Sequence, residues 1–213
     1  LTSLLLAFGV SQLAWGPLSD RFGRRPILIW GMALFVVAAI GGAFAGSMES
    51  LIVWRTLQGV AMGSAVMCAR AVVRDLYAPT EGASMMSKGL TGLGIIACLS
   101  APVGGLLSDM FGWRIALLSL AVFAAVTLVV LVWRFDETLP ERNPRALQPA
   151  ALLHNWVAIA RHPTFWAWAL LATATYAGLF TYLASSSFVL IGVLGLSKTQ
   201  YGLVMFTMSL SYI

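Results

Sequence analysis

The sequence predicts an all-α polytopic membrane protein organised around an inverted repeat of three spans. Three observations carry this. Hydrophobic residues make up 60% of the 213 positions and charged residues only 10%, against about 25% charged in a soluble domain. The apolar residues fall in long runs separated by short turns, and a helix needs about 20 of them to cross the hydrocarbon core. A ten-residue turn between two such runs occurs twice. Gly16-Pro17-Leu18-Ser19-Asp20-Arg21-Phe22-Gly23-Arg24-Arg25 is matched at seven of ten positions by Gly105-Leu106-Leu107-Ser108-Asp109-Met110-Phe111-Gly112-Trp113-Arg114, at a constant offset of 89 (105 − 16).

That offset corresponds to about three spans with their loops. An odd number of crossings places the second copy on the opposite membrane face. Inverted repeats of three spans recur in secondary transporters.

The first span is read from Leu1 to Pro17. The basic turn follows, and Pro26 opens the second span at a favoured helix-start position. This span runs to about Ala45, with small residues at Gly31, Ala38, Ala39, Gly41 and Gly42 that permit close packing in lipid. Gly46 to Ser50 is a short loop, and the third span runs from Leu51 to Val73. The fourth covers Ser84 to Leu107, and Ala101-Pro102-Val103-Gly104-Gly105 interrupts it, since proline removes a backbone hydrogen bond. After the second turn, the fifth span runs from Trp113 to Trp133.

The extended polar region is Arg134 to Pro163, which holds Pro140, Pro144 and Pro149. Leu152, Trp156 and Ile159 recur there at helical spacing and predict an interfacial helix. A sixth span covers Phe165 to Leu190, Gly192 to Lys198 forms a loop, and a seventh span starts near Gln200. The expected units are 1–133 for a helical bundle, 134–163 for a linker and 164–213 for the start of a second bundle. No basic n-region precedes the first run, so no signal peptide is read. The short first run and the apolar end at Ile213 predict a piece of a longer chain.

Charge placement orients these spans. Ten of the 13 Lys and Arg residues (Arg21, Arg24, Arg25, Arg70, Arg74, Lys88, Arg134, Arg142, Arg145 and Arg161) fall on the face of the basic turn. Arg114 and Lys198 fall on the other, and Arg55 lies within a span. By the positive-inside rule the basic turn is cytoplasmic. The net charge of +5 is thereby accounted for by loops facing an anionic leaflet, not by nucleic acid. Cys68 and Cys98 sit inside apolar runs with no disulfide or zinc spacing, and are expected to pack as small apolar residues. No metal site or cofactor is expected.

Arg55 is the sharpest local signal. A charge within a span is unfavourable by about 2.5–3.5 kcal/mol on insertion scales. Such a residue faces a cavity, pairs with an acid, or snorkels to the nearer surface. Gln58 and Gly59 share its side of the helix. All eight acids lie in loops or at span ends, so a titratable group in the layer of Arg55 is expected outside this chain. In the basic turn, Asp20 and Arg24 can pair with Arg74 and Asp75 at the end of the third span, forming a latch that holds one conformation; the alternative is that the basic residues serve orientation alone. The small residues of the fourth span can seal a path or serve ordinary packing. Tyr176, Phe180 and Tyr182 are candidates for lining a drug-sized cavity, or for lipid contact. An intramembrane enzyme is disfavoured: both histidines, His154 and His162, lie in the linker, and the sequence has no Gly-x-Ser-x-Gly elbow.

These residues also carry a resemblance. Gly16-x-Leu18-x-Asp20-Arg21-x-Gly23-Arg24-Arg25 resembles the loop signature of the major facilitator superfamily. Arg55-x-x-Gln58-Gly59-x-x-x-Gly63 is similar to its fourth-span motif, whose arginine the family implicates in proton coupling. Ala101-Pro102-Val103-Gly104-Gly105 resembles its fifth-span antiporter motif, with alanine at 97 and 101 where the motif has glycine. Arg70-x-x-x-Arg74-Asp75 and the Ala-Pro pair resemble the bicyclomycin-resistance (Bcr/CflA) type of drug:proton antiporter. The resemblance covers family spans two to eight. It implies two six-helix bundles in a bacterial inner membrane and alternating access by rocking. It also implies efflux of amphipathic drugs in exchange for protons, with the proton as the coupling ion and a monomeric protein. Its acidic residue belongs to a first span absent here. A sugar or metabolite carrier of the same superfamily, and a non-transporting receptor or scaffold, are the competing readings.

Overall fold

A computed structural model describes residues 2–212. Its elements are α1 (Thr2–Phe22), α2 (Arg24–Ala43), α3 (Met48–Leu76), α4 (Pro79–Phe111), α5 (Trp113–Arg134), α6 (Pro149–Ala160), α7 (Pro163–Ser187), a π-helical segment (Phe188–Val193) and α8 (Lys198–Tyr212). Among the described residues there is no strand. In hydrocarbon every backbone N–H and C=O must be satisfied within the protein, and helices do this segment by segment. Among the described residues, five helical stretches are long and apolar enough to cross a membrane: α2, α3, α4, α5 and α7 with its π-helical extension. α1 is helical over 21 residues but carries Ser3, Ser11, Gln12 and Ser19, and α8 has 15.

Three sequence expectations are corrected. The first span does not stop at Pro17; α1 continues to Phe22. The ten-residue basic turn is therefore one residue, Gly23, at φ 108. Pro17 inside α1 forgoes one intrahelical bond, which membrane helices tolerate. The second span starts at Arg24, two residues ahead of Pro26, which sits in the first helical turn where its N–H has no intrahelical partner to lose. The fourth span is not interrupted at Pro102; α4 runs through it for 33 residues, about 50 Å at 1.5 Å per residue.

α3 is central, packing on α1 and α2; α2 also packs on α5, while α4 packs on α8 and α5. Small residues set these distances. A side chain at Gly59 would meet the Leu4 carbonyl, and one at Gly63 the Ser11 hydroxyl. Trp15 Nε1 donates to the Val60 carbonyl at 2.8 Å, tying α1 to α3. Ser47 and Ser50 close a capping box at the start of α3, with Ser50 N donating to Ser47 Oγ at 3.1 Å. The apolar core of buried Ile27, Leu28 and Cys68, with Trp15, Leu18, Met67, Leu131 and Phe135 around it, lies at the basic-turn end of α1, α2, α3 and α5. Cys68 and Cys98 are both buried and unpaired, as small apolar residues are. α6 forms where Leu152, Trp156 and Ile159 predict a helix, and none of its residues is buried.

The repeat is visible in the backbone. Gly23 and Gly112 each join two helices as a single residue, at φ 108 and φ 85. Gly23 N donates to Ser19 O at 3.0 Å, and Gly112 N to Ser108 O at 3.2 Å. Side chains at these angles are disfavoured by Cβ–carbonyl contact, so glycine is the residue that lets one position reverse the chain. The helices that follow, α2 and α5, lie side by side and grip each other's ends. Arg25 at the start of α2 donates to Val132 O near the end of α5 at 2.9 Å. Arg114 at the start of α5 donates to Ala45 O just past α2 at 3.3 Å. Each cation meets a helix C-terminus, where its charge is favourable.

Candidate functional site

The single-residue turn places Arg24 in the first position of α2, one helical turn beyond Asp20 at the end of α1. Its side chain is only 2% exposed. Nη1 lies 2.6 Å from Asp20 Oδ1 and Nε lies 2.8 Å from Asp75 Oδ2 on α3. Nη1 also donates to the Ser19 hydroxyl, which in turn donates to Gly16 O at 2.9 Å. One buried guanidinium thus joins α1, α2 and α3 through two carboxylates. Charge-assisted bonds of this kind are roughly twice as strong as neutral ones, and desolvation is tolerable because the donors on this edge are occupied. The sequence paired Asp20 and Arg24 with Arg74 and Asp75. Asp75 is there; Arg74 is exposed and takes no part, because successive helical residues point about 100° apart.

A further member was not read from the sequence. Glu137, just past α5, accepts from the backbone N–H of Arg24 at 2.8 Å and of Arg25 at 3.3 Å. Its Oε1 also accepts from its own loop, from Thr138 N at 3.0 Å and Leu139 N at 3.1 Å. It caps α2 from 113 residues away. A side chain on Gly23 would run into its carboxylate. Glycine at 23 is therefore needed twice, for the backbone angle and for this approach. The linker adds a second tie, with Asn143 N donating to Asp20 O at 2.9 Å. The signal in the sequence was indirect: α2 opens with two arginines and no capping side chain of its own, a helix start that favours an anion.

Inside α3, Arg55 donates from Nη1 to Gln58 Oε1 at 2.9 Å. Gln58 is 1% exposed, and its Nε2 has no partner among the described residues. No ion pair to Arg55 occurs among the described residues. The sequence-predicted pair is thus assembled, and its only described polar partner is internal.

The antiporter-motif residues form a seam with α8. A side chain at Gly105 would meet the Lys198 carbonyl, and one at Gly202 would meet the Ala101 carbonyl and the Pro102 α carbon. Gly104 has open space around it and stands outside the seam. One turn along, Asp109 Oδ2 accepts from Thr199 N at 2.8 Å and from Thr199 Oγ1 at 2.6 Å. Tyr176 and Phe180 stack at 6.2 Å between ring centroids, and the Tyr182 hydroxyl reaches the Met208 sulfur. The two clefts described lie elsewhere, one between Ala45, Leu51 and Trp113, the other between Trp15, Trp30 and Arg142.

Residues 1–213 match the sequence profile of the Major Facilitator Superfamily. The chain belongs to the major facilitator superfamily. That superfamily consists of transporters, not enzymes. The chain is 34% identical over 199 residues to multidrug resistance protein D of Escherichia coli, an alignment covering 91% of this chain and 48% of that protein. It is 30% identical over 217 residues to a chloramphenicol resistance protein of Pseudomonas aeruginosa, covering 100% and 50%. It is 26% identical over 203 residues to a bicyclomycin resistance protein homolog of Haemophilus influenzae, covering 95% and 51%. These relatives agree with the bicyclomycin-resistance type read from the sequence. The chain spans about half the length of the curated relatives it matches. Among solved structures, the human organic anion transporter MFSD10 superposes with a TM-score of 0.69 over 98% of this chain and 52% of that one, at 23% identity. That likeness is one of major-facilitator fold.

Proposed function

We propose that this chain forms part of a secondary transporter that expels small amphipathic drugs across a bacterial inner membrane in exchange for protons. Residues 1–133 belong to its first bundle, 134–163 to the linker, and 164–213 open the second bundle. The relatives named for multidrug, chloramphenicol and bicyclomycin resistance support the substrate class. The observation that carries the coupling is the Arg55–Gln58 pair. A guanidinium is kept inside a span with one amide as its polar partner among the described residues, at an unfavourable free energy, and with a buried amide nitrogen left over there. An arrangement this unfavourable is retained where it does something, and a guanidinium placed to meet a carboxylate of a neighbouring span alters when that carboxylate holds its proton. The Arg24 network serves as the latch of one state: it braces the turn between α1 and α2 against the end of α3, and it opens in the other state.

The test uses the full transporter in inside-out vesicles with an imposed pH gradient. Drug-triggered proton release is followed for wild type, Arg55→Ala and Arg55→Lys. Drug-dependent proton flux in wild type that Arg55→Ala abolishes at equal protein level is expected. Substrate movement indifferent to the gradient would refute proton antiport. Equal flux in all three would leave Arg55 with no role in coupling.

A further inference from the structure

We propose that Asp109 is a detachable latch at the end of the molecule opposite the basic turn. It caps α8 when that end is closed and lets go when it opens. The proposal rests on the alternating-access reading above.

The repeat makes Asp109 the counterpart of Asp20, yet the two are used differently. Asp20 is held by Arg24. The position equivalent to Arg24 in the second copy is Trp113, and that equivalent to Arg21 is Met110. The remaining arginine, Arg114, lies over the Trp113 ring at 4.4 Å and donates to Ala45 O, away from Asp109. Asp109 is therefore free of a cation on its own helix pair, and it reaches across to the first turn of α8. There it takes both the N–H and the hydroxyl of Thr199. Lys198 Nζ donates back to Ser108 O at 3.4 Å. A carboxylate at a helix start is favourable twice, by hydrogen bonding and by the helix dipole.

Two further observations make this contact separable. First, α8 does not depend on it. Ser197 and Gln200 close a capping box of their own, with Gln200 N donating to Ser197 Oγ at 3.1 Å and Ser197 N to Gln200 Oε1 at 2.9 Å. α8 keeps its start intact when Asp109 leaves. Second, Ala101, Gly105 and Asp109 follow each other at i, i+4, i+8 on one stripe of α4, and the first two meet α8 through bare backbone at Gly202 and Lys198. Such a seam has little interdigitation to undo, so the directional bonds of Asp109 carry much of the preference for the closed arrangement.

The experiment measures the opening directly. Spin labels are placed at Met48→Cys and Leu194→Cys, both exposed at this end, in a cysteine-free full transporter reconstituted in lipid. Distance distributions are recorded with and without Asp109→Ala, Asp109→Asn, Thr199→Val and Met110→Ala. Asp109→Ala is expected to lower the ratio of short to long distances about tenfold, the factor equivalent to about 1.4 kcal/mol. Asp109→Asn, which keeps an acceptor oxygen, and Thr199→Val, which keeps the N–H, are expected to fall between, and the exposed Met110→Ala to match the parent. An unchanged distribution in Asp109→Ala, or an equal shift in Met110→Ala, would overturn the proposal. Asp109→Cys with Thr199→Cys supplies a second measurement: oxidation should trap the short distance and reduction release it, and failure to cross-link would count against the contact. None of this requires substrate or a pH gradient. A shift without drug-coupled proton flux in the parent keeps the latch and rejects the antiport reading; flux with no shift does the reverse.

Discussion

Arg24 answers to two carboxylates through two different nitrogens, and that geometry decides how substitutions behave. Arg24→Ala leaves Asp20 and Asp75 facing each other with no cation, and Asp75 is only 9% exposed. Breaking such a pair from one side destabilises by about 3–5 kcal/mol, so a clear fall in melting temperature of the purified protein is expected. Arg24→Lys should recover only part, because an ammonium is a single point charge and cannot place Nε and Nη1 on separate partners. At Gly23 two effects are superposed. Gly23→Ala carries about 1–3 kcal/mol of backbone strain, because φ 108 with ψ 160 is a region essentially confined to glycine, and also a clash with Glu137. A cycle with Glu137→Ala separates them: the double variant should be less destabilised than the sum of the singles, because removing the carboxylate removes the clash and leaves only the angle. Additive losses would show that Glu137 and Gly23 do not meet. Glu137 and Gly23 also mark the limit of sequence reading at this scale. The angle is legible from a glycine between two helices; the clash is not, because its other half lies beyond α5.

Helices were legible where composition alone forces them. α2, α3 and α5 appear within a few residues of their expected bounds, since an uninterrupted apolar run in lipid has no other backbone solution. Their ends are less legible: α1 passes Pro17 and α4 passes Pro102, because membrane helices tolerate the loss of one intrahelical bond. The α4–α8 seam gives the prediction at this scale. Gly105→Leu and Gly202→Leu should each separate the two helices, since the obstructing atoms are backbone. Gly104→Leu should be tolerated, since that position is open. Disulfide trapping between Asp109→Cys and Thr199→Cys reads the separation, and equal trapping in all three backgrounds would refute the seam. The motif alone does not distinguish Gly104 from Gly105; only the identity of the neighbouring helix does.

At the scale of the molecule, the charge asymmetry predicts an orientation. With ten cations at the basic end, Arg142→Cys in the linker should be protected from an impermeant thiol reagent in intact cells and labelled after permeabilisation. Met48→Cys at the opposite end should be labelled in intact cells. The reverse pattern would invert the assignment. The linker is also part of the architecture: Glu137 and Asn143 tie it to the start of α2 and the end of α1, so the chain leaving α5 is strapped across the basic end before α6 begins.

The sequence by itself determined the helical membrane class, the order of the spans, the doubled turn and the superfamily. The first three follow from composition, from the period of the apolar runs and from a repeat in one register, all of which are local or self-similar along the chain; the superfamily rests on the resemblance of the basic-turn and Arg55 motifs to those of a known family. The tertiary structure alone decided that each turn is a single glycine and that Asp75 rather than Arg74 completes the network. It also decided that Glu137 caps α2, and that α2 and α5 grip each other's ends through Arg25 and Arg114. These depend on which face of one helix meets which face of another. Hydrogen bonds and close contacts between residues 51 to 113 positions apart leave no periodic trace, and packing fixes them only when the helices are placed together.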